Sequence, residues 1–273
     1  MRLKELCKDI LTEKELQMLP SSFDVVGDIL IFVDFSKELK KKEKKIGEKI
    51  LETFPRIKVV CKKARKYSGK YRLAKMQIIS GENRKETVHR ESGIQIKLDV
   101  EKIYFSPRSS NERLRIAKLI SNNESVLVMF SGSGAFPLVI EKNSKPREIV
   151  GIEQNPIAHK YAIENLKLNK SKINFLKWDV NKIVPKLNQK FDRILMPLPH
   201  HGETYLNLPF LVGNKSFWLH FYDVAREEEF DNSKKKVIDA IKKHKKKCKS
   251  IEIIKCGHLS PGKFRICVDA KIY

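Results

Sequence analysis

The sequence predicts an α/β protein in which a doubly wound, parallel-sheet domain follows a small α+β domain. From about residue 112 onward, short apolar runs alternate with helical patterns, as they do when helices cover a parallel sheet. The first of these runs leads into the glycine-rich turn Ser131–Gly134, and the second ends at an acid, Glu153. A strand, a glycine turn, a second strand and an acid in this order are typical of a nucleoside-binding fold.

Three segments divide the chain. Residues 1–18 are predicted to be a helical extension, because Leu3, Leu6 and Ile10 recur at helical spacing. Residues 19–100 are predicted to be the small α+β domain, and residues 101–273 the parallel-sheet domain. The elements expected before residue 100 are a strand pair around Gly27 within 23–33, a helix at 37–53, strands at 57–61 and 76–79, and a strand pair at 87–98.

The second domain shows the alternation most clearly. Its predicted helices cover 112–122, 135–142, 157–169 and 233–247, and its predicted strands cover 126–130, 148–153, 173–177, 191–196, 217–222, 250–256 and 264–272. Connections that pass through a helix join parallel strands. Only Gly257–Gly262 separates the last two strands. Since this connection is too short for a crossover helix, we expect an antiparallel hairpin at the sheet edge.

The composition favours a polyanionic partner. Lys and Arg number 56 and Asp and Glu number 33, which gives a net charge of +23. Such an excess suits nucleic acid, although a lysine-rich proteome would raise the charge without any partner. The charge is concentrated in lysine-rich segments at 37–45 and 233–250, whose alternative interpretation is a solvated helix face.

The cysteines and the apolar runs indicate a cytoplasmic protein. Five cysteines are dispersed along the chain without any Cys-x-x-Cys pair, so we expect neither a zinc knuckle nor a disulfide framework. No apolar run approaches the roughly 18 residues of a membrane span. The N-terminus lacks the apolar core of a signal peptide.

The ends of the predicted strands carry the residues that indicate chemistry. Gly132 and Gly134 let backbone approach a ligand where a Cβ would collide. Glu153 suits the two hydroxyls of a ribose, although an exposed acid at a helix start is the alternative. Asp179 follows a later strand and suits an adenine amino group. The third glycine of a dinucleotide fingerprint is replaced here, which favours S-adenosylmethionine over a dinucleotide.

A fourth strand end and an upstream motif add to this set. Pro197 and Pro199 follow the strand at 191–196, where they remove N–H donors and stiffen a loop. Upstream, Arg108 suits a cofactor carboxylate, and Glu112 suits proton transfer or the orientation of a base. The alternative for this motif is a Ser-Pro turn, a helix that starts at Glu112 with Ser110 or Asn111 as its cap, and solvent-facing charges.

These motifs together resemble one family. The segments that carry the resemblance are Ser68–Arg72, Thr87–Gly93, Tyr104–Arg108 with Glu112 and Arg113, Met129–Gly134, Glu153–Pro156, Pro197–Pro199 and Ser260–Ala270. They are similar to those of the archaeal and eukaryotic tRNA guanine-37 N1-methyltransferases and their wyosine-pathway relatives. The resemblance runs from about residue 20 to the C-terminus.

The resemblance implies a class I, Rossmann-like methyltransferase domain that uses S-adenosylmethionine and acts on the anticodon loop of tRNA. We expect the protein to be a monomer. It implies that Glu112 is the general base at N1 of the target guanine, that Arg72 steadies its carbonyl oxygen, and that Tyr104 orders the cofactor and the target. The implied cofactor-binding residues are Tyr104, Phe105, Arg108, Phe130, Ser131, Gly132, Gly134, Glu153, Gln154, Asp179, Val180, Pro197 and Pro199. The implied RNA-binding residues are Arg72, His89, Arg113 and Lys263, and no residue is expected to bind a metal.

The sequence departs from the family pattern in three ways. Val128 stands where an acid is common, and Pro197 stands where methyltransferases often have an asparagine. The second departure is expected in the archaeal branch that also methylates a tricyclic wyosine intermediate. Many members carry an extra N-terminal domain that contacts the tRNA elbow, and the roughly 20 residues before the first strand pair are too few for it.

Two other functions fit the same residues. The related wyosine aminocarboxypropyl transferase moves the amino-acid side chain of the same cofactor, but Ser-Pro-Arg and the later Leu-Pro favour methyl transfer. A basic RNA-binding protein with a relic nucleoside pocket is the non-enzymatic alternative. It is favoured only by the departures at Val128 and Pro197.

Overall fold

A computed structural model describes residues 3–20, 22–64 and 68–273. The chain forms two compact units. The first comprises Met1–Arg90 and Gln95–Pro107, and the second comprises Glu91–Ile94 and Arg108–Tyr273. Within the described ranges, no helix combines the length and the apolar character needed to cross a membrane.

The first unit contains a four-stranded mixed sheet. Its helices and strands are α1 (Leu3–Leu6), α2 (Glu13–Met18), β1 (Phe23–Val26), β2 (Ile29–Phe32), a 3₁₀ turn (Lys37–Lys41), α3 (Glu43–Thr53), β3 (Val59–Lys63) and β4 (Met76–Gly81). A two-stranded hairpin, β5 (Glu86–Glu91) and β6 (Ile94–Asp99), follows them. The sheet order is β1-β2-β3-β4, with a parallel β2–β3 pair between two antiparallel pairs.

The N-terminal helix differs from the prediction. The sequence predicts a helical extension over residues 1–18, but the described residues form two separate helices, α1 and α2. The second begins at a capping box, in which the Thr12 hydroxyl accepts from the Glu15 N–H at 3.3 Å and Glu15 Oε2 accepts from the Thr12 N–H at 2.9 Å. A capping box fixes a new helix start. Both helices still bury apolar side chains in the core of this unit, where Leu6 of α1 and Leu16 of α2 belong to the same apolar cluster as Leu30 of β2.

The second unit contains a seven-stranded sheet with the order β12-β13-β11-β10-β7-β8-β9. Its strands are β7 (Ser125–Met129), β8 (Glu148–Glu153), β9 (Asn174–Lys177), β10 (Phe191–Met196), β11 (Gly213–Arg226), β12 (Cys248–Ser260) and β13 (Lys263–Ile272). Strands β7 to β11 pair in parallel, whereas β13 is antiparallel to both β11 and β12. The predicted antiparallel hairpin at the sheet edge is therefore confirmed.

The strand order predicts which edge of the sheet binds a ligand. The chain winds from β7 to β8 and β9 on one side and returns to β10 on the other side of β7. Ligands bind outside the carboxyl ends of parallel strands at such a reversal point. The apolar core beneath this edge includes Leu127, Ile152, Ile194 and Phe221.

The helices of this unit are α4 (Ser110–Leu119), α5 (Ala135–Asn143), α6 (Pro156–Leu168), α7 (Val180–Ile183), α8 (Leu208–Val212) and α9 (Phe230–Lys243). Helix α4 begins at Ser110 rather than at the predicted Glu112, and its N-cap is Ser109, which makes no side-chain capping hydrogen bond. The Ser109 hydroxyl instead accepts a hydrogen bond from Arg265 on β13 at 2.6 Å. The predicted cap at Ser110 or Asn111 was wrong.

Candidate active site

The loop after β7 has an unusual backbone. Phe130, Gly132 and Gly134 have φ values of +58°, +59° and +90°. A left-handed conformation is costly for a phenylalanine and recurs at functional sites. The Phe130 ring packs edge-to-face against Tyr205 with centroids 5.0 Å apart. The contact between Phe130 and Tyr205 thus helps to hold the loop in its left-handed conformation.

The two positions in this loop are occupied by glycine for different physical reasons. A Cβ on Gly134 would lie 2.8 Å from the Phe175 ring, so this position excludes any side chain. At Gly132, by contrast, no described atom lies within 4 Å of the position of a Cβ. The backbone of Gly132 therefore borders open space, as a loop that receives a ligand requires.

Glu153, at the end of β8, joins the two strand ends. Its carboxylate accepts the Gly132 N–H at 2.7 Å and the Asn155 N–H at 2.6 Å. Burial raises the pKa of this carboxyl, although these backbone N–H groups act in the opposite direction. Asn155, not Glu153, caps α6 by accepting from Ile157 N–H at 3.0 Å. A carboxylate has about four acceptor positions, so Glu153 keeps acceptor capacity for a ribose.

Four further predicted cofactor residues lie on this edge. Gln154 donates to Asp179 Oδ2 at 2.6 Å, and Asp179 caps the short helix that Val180 begins. The Ser131 hydroxyl is buried and has no hydrogen-bond partner among the described residues. Buried hydroxyls are normally satisfied. The open backbone at Gly132, this unsatisfied hydroxyl and the two carboxylates therefore fit an adenosine-containing cofactor.

Two of the three departures from the family pattern lie on or directly after strands of the seven-stranded sheet. Val128 is fully buried in β7, where it pairs with Leu195 and Gly151. A valine suits this position, since an unpaired buried acid is costly. Pro197 and Pro199 directly follow β10 and are partly buried. They lie at the carboxyl end of a strand that borders the reversal point, as predicted.

Glu112 lies buried in α4, close to the helix that follows the glycine loop. Its carboxylate accepts two hydrogen bonds from Arg115, at 2.7 and 2.8 Å. It also accepts the hydroxyl of Tyr222, on β11, at 2.6 Å. The Tyr222 ring packs edge-to-face against Phe136, two residues after Gly134, with centroids 5.7 Å apart. A chain of direct contacts thus connects the predicted base to the glycine loop.

In the first unit, the structure brings four predicted residues together in two pairs. The Arg72 guanidinium lies 5.4 Å from the centroid of the Tyr104 ring. Arg72 itself has a φ of +52°. The rings of His89 and Phe105 lie 5.1 Å apart, and His89 Nδ1 accepts the Gly27 N–H at 3.1 Å.

One predicted RNA contact requires correction. Arg113 was expected to contact RNA, but its side chain is only 4% exposed and donates to Glu91 at 2.6 Å. A buried, paired guanidinium is part of the interior rather than of a surface. Arg108 is exposed. Lys263 begins β13 opposite Arg226 and is partly buried.

Several polar residues around Glu112 were not predicted. Arg115 lies one helical turn after Glu112, a spacing that brings side chains together, so the sequence did contain this signal. Tyr222 and Asp269 are more than 100 residues away along the chain, and no local pattern connects them to Glu112. Asp269 also belongs to a cluster with His220 and Cys267, whose ligand atoms lie within 4.8 Å of one another.

This cluster is better explained by hydrogen bonding than by a metal ion. Asp269 accepts from Arg115 at 2.6 Å, and His220 lies 2.7 Å from an Arg193 nitrogen. A cation at this point would lie beside two guanidinium groups, whose positive charge would repel it.

Family profiles match almost the whole chain. A profile described as the TRM5/TYW2 methyltransferase domain matches residues 87–253, and one described as the TYW2 N-terminal domain matches residues 3–84. The matched methyltransferase region contains Glu112, the glycine loop, Glu153 and Asp179.

The alignments with individual relatives span different shares of each relative's length. The chain is 39% identical to the tRNA (guanine(37)-N(1))-methyltransferase Trm5b of Pyrococcus abyssi, over 77% of this chain and 62% of that protein. It therefore spans less than two thirds of that relative. It is 30% identical to the tRNA (guanine(37)-N(1))/4-demethylwyosine(37)-methyltransferase Taw22 of Nanoarchaeum equitans, over 91% of this chain and 98% of that one. It is also 30% identical to the tRNA(Phe) (4-demethylwyosine(37)-C(7)) aminocarboxypropyltransferase of Methanocaldococcus jannaschii, over 91% and 97%.

Solved structures show the same fold. Trm5b from Pyrococcus abyssi superposes with a TM-score of 0.85 at 33% identity, over 96% of this chain and 78% of that one. Trm5 in complex with tRNALeu has a TM-score of 0.84 at 28% identity, over 100% of this chain and 78% of that one. TYW2 of M. jannaschii in complex with AdoMet has a TM-score of 0.71 at 25% identity, over 92% of this chain and 99% of that one. The Rossmann-like fold class and the S-adenosylmethionine cofactor expected from the sequence are confirmed, and the chain belongs to the TRM5/TYW2 family of S-adenosylmethionine-dependent tRNA-modifying enzymes.

Proposed function

We propose that this protein transfers a methyl group from S-adenosylmethionine to N1 of guanosine 37 in the anticodon loop of tRNA. The observation that carries the proposal is a buried carboxylate, Glu112, connected by direct contacts to the glycine loop. The 39% identity to a guanine-37 N1-methyltransferase supports methyl transfer in particular.

The residues of the second unit suit the cofactor. When bound, S-adenosylmethionine supplies an electrophilic methyl group on a sulfonium sulfur. Glu153 would accept from the ribose hydroxyls, Asp179 would accept from the adenine amino group, and Gly132 would let the backbone approach closely. Arg108, which is exposed, would bind the cofactor carboxylate.

Glu112 would act on the target base. N1 of guanine carries a hydrogen, so it becomes a nucleophile only when that proton leaves. Transfer of this proton to the Glu112 carboxylate would free the N1 lone pair, so that N1 could accept the methyl group that the bound cofactor supplies. The target base must leave the loop stack to be reached.

Arg72 and Tyr104 complete the proposed set. Arg72 would donate to the guanine carbonyl oxygen and so stabilise the negative charge that develops there as N1 loses its proton. The contact of its guanidinium with the Tyr104 ring supports a shared role, since stacking restrains a long side chain.

The test is nucleoside analysis of tRNA after reaction. The protein is incubated with S-adenosylmethionine and a transcript that carries guanosine at position 37, and the digested tRNA is analysed by mass spectrometry. N1-methylguanosine, absent with an adenosine-37 transcript, is the expected product. A second transcript that carries the tricyclic wyosine intermediate tests methylation of that base as well.

Aminocarboxypropyl transfer is the second candidate. Two observations favour it: the N-terminal residues match the TYW2 profile, and the alignment with the M. jannaschii aminocarboxypropyltransferase spans 97% of that protein. The by-product separates the two reactions. Methyl transfer leaves S-adenosylhomocysteine, whereas aminocarboxypropyl transfer leaves methylthioadenosine and enlarges only the tricyclic base.

A further inference from the structure

A row of buried and half-buried polar side chains extends from Glu112 into the sheet. We propose that Arg115, Asp269 and Tyr222 are positioning residues that hold the Glu112 carboxylate and set how readily it takes a proton. This inference rests on the proposed role of Glu112 as the base.

Arg115 lies between two carboxylates. It donates to both oxygens of Glu112, at 2.7 and 2.8 Å, and to Asp269 Oδ2 at 2.6 Å. Beyond Asp269, His220 Nδ1 lies 2.6 Å from Oδ1. The Nε2 atom of the same ring lies 2.7 Å from a nitrogen of Arg193, which can only donate. The ring is therefore neutral with its proton on Nδ1, which agrees with the lowering of the His220 pKa by burial.

The charges in this row oppose each other at Glu112. Arg115 presents a positive charge to the Glu112 carboxylate. Asp269 shares the same guanidinium and places a negative charge behind it. Because these two charges have opposite signs, removal of Arg115 and removal of Asp269 are expected to move the acid limb of the pH–rate profile in opposite directions.

Among the described residues, the other titratable groups that face Glu112 carry no charge in the working range. They are Tyr222 on β11, Cys256 on β12 and Cys267 on β13. Burial raises the pKa of all three. Tyr222 therefore acts as a hydrogen-bond donor that fixes one carboxylate oxygen, and it leaves Arg115 and Asp269 as the charges that matter.

The experiment is the pH dependence of single-turnover methyl transfer by the full chain. Asp269→Asn should move the acid limb of the profile to lower pH by about one unit, and Arg115→Gln should move it to higher pH by about one unit. Tyr222→Phe should also move the limb upward and slow the reaction about tenfold, whereas Arg115→Lys, which keeps the charge, should restore the wild-type limb at a lower rate.

The control is Asp192→Asn. Asp192 lies on β10 and accepts a hydrogen bond from the Ser125 N–H. Its replacement therefore perturbs the same sheet without removing a contact of Arg115, and the acid limb of this variant's pH profile should stay in place. An unmoved limb in Asp269→Asn, or movement of Asp269→Asn and Arg115→Gln in the same direction, overturns the inference. If Glu112→Gln itself retains full activity, the proposed base falls and the inference falls with it. If Glu112→Gln is inactive while these limbs stay fixed, only the inference fails.

Discussion

The Tyr222 hydroxyl donates to Glu112 at 2.6 Å while its ring rests against Phe136. Three elements meet through this one side chain: β11, α4 and α5. Because α5 begins directly after Gly134, the conformation of the glycine loop and the position of the proposed base are mechanically connected. Substitutions of the two loop glycines can be compared by their effects on protein stability and on cofactor affinity.

The two loop glycines should respond differently to the same change. Gly134→Ala should destabilise the protein by several kcal/mol, since its Cβ would meet the Phe175 ring at 2.8 Å and its φ is +90°. Gly132→Ala should cost only about 1–2 kcal/mol, for the left-handed conformation in open space, but should weaken cofactor binding. Urea denaturation and calorimetry measure the two effects. Equal stabilities for the two variants would contradict this explanation of the two glycines.

Glu153 should give a pH-dependent difference in stability between the wild type and Glu153→Gln. Burial raises its folded-state pKa above the ordinary 4.5. Its contribution to stability is therefore full below about 4.5 and is lost as the pH rises through the folded-state pKa. The melting temperature of the wild type relative to Glu153→Gln should fall over this window in a thermal-shift series. A wild-type melting temperature that instead rises relative to that of Glu153→Gln as the pH rises would show that the folded protein stabilises the ionised carboxylate, which would contradict this prediction.

The buried pair of Arg113 and Glu91 should be structural. Both side chains are 4% exposed, so Arg113→Met removes the buried guanidinium that pairs with the Glu91 carboxylate and should cost about 3–5 kcal/mol. Replacing both residues by methionine should recover much of that loss. Arg147→Met is the matched control, since Arg147 and Glu148 form an exposed pair at 3.5 Å and such pairs contribute about 0–1 kcal/mol. Denaturation midpoints measure the loss of stability in each variant. A small loss for Arg113→Met would contradict the structural role of Arg113.

The lysine-rich segment at the end of α9 should contribute to tRNA affinity. The substituted set, all exposed, is Lys242, Lys243, Lys245 and Lys247. Replacing these lysines by serine should weaken tRNA binding. It should also reduce the slope of log affinity against log salt by about 0.7–0.9 for each tRNA phosphate that the protein no longer neutralises. Binding titrations over a series of salt concentrations measure both effects.

The control removes the same charge from another surface. It replaces the exposed lysines on and after α6, which are Lys160, Lys167, Lys170 and Lys172. Equal losses of affinity in the two variants would mean that net charge, rather than a defined surface, attracts the tRNA.

Most strands could be predicted because their signals are local. The apolar run at β8 and the glycine turn after β7 lie within a few residues of the features they predict, and both occur where expected. The division of the N-terminal helix was missed although Thr12 and Glu15 carry a capping-box signal. Strand β11 extends to Gly213–Arg226 because it pairs along β13, which a window around its apolar centre does not show.

The site was predictable to the extent that its residues follow strands. Glu153 ends β8, Gln154 follows it, and Asp179 follows β9, and the structure brings these residues together as expected for neighbouring strand ends. The surroundings of Glu112 were not predictable, because Tyr222 and Asp269 reach it only through tertiary packing. Arg113 was misjudged for the same reason, since its partner lies 22 residues away on another element.

The central claim is that Glu112 is the base for methyl transfer to tRNA. Its most direct test is single-turnover transfer of a labelled methyl group from S-adenosylmethionine to a guanosine-37 transcript, with the wild type, Glu112→Gln and the exposed-residue control Glu148→Gln. We expect label in N1-methylguanosine with the wild type and the control, a loss of about 10²–10⁴ in rate for Glu112→Gln, and unchanged cofactor affinity by calorimetry. A Glu112→Gln protein that transfers the label at the wild-type rate would contradict the claim.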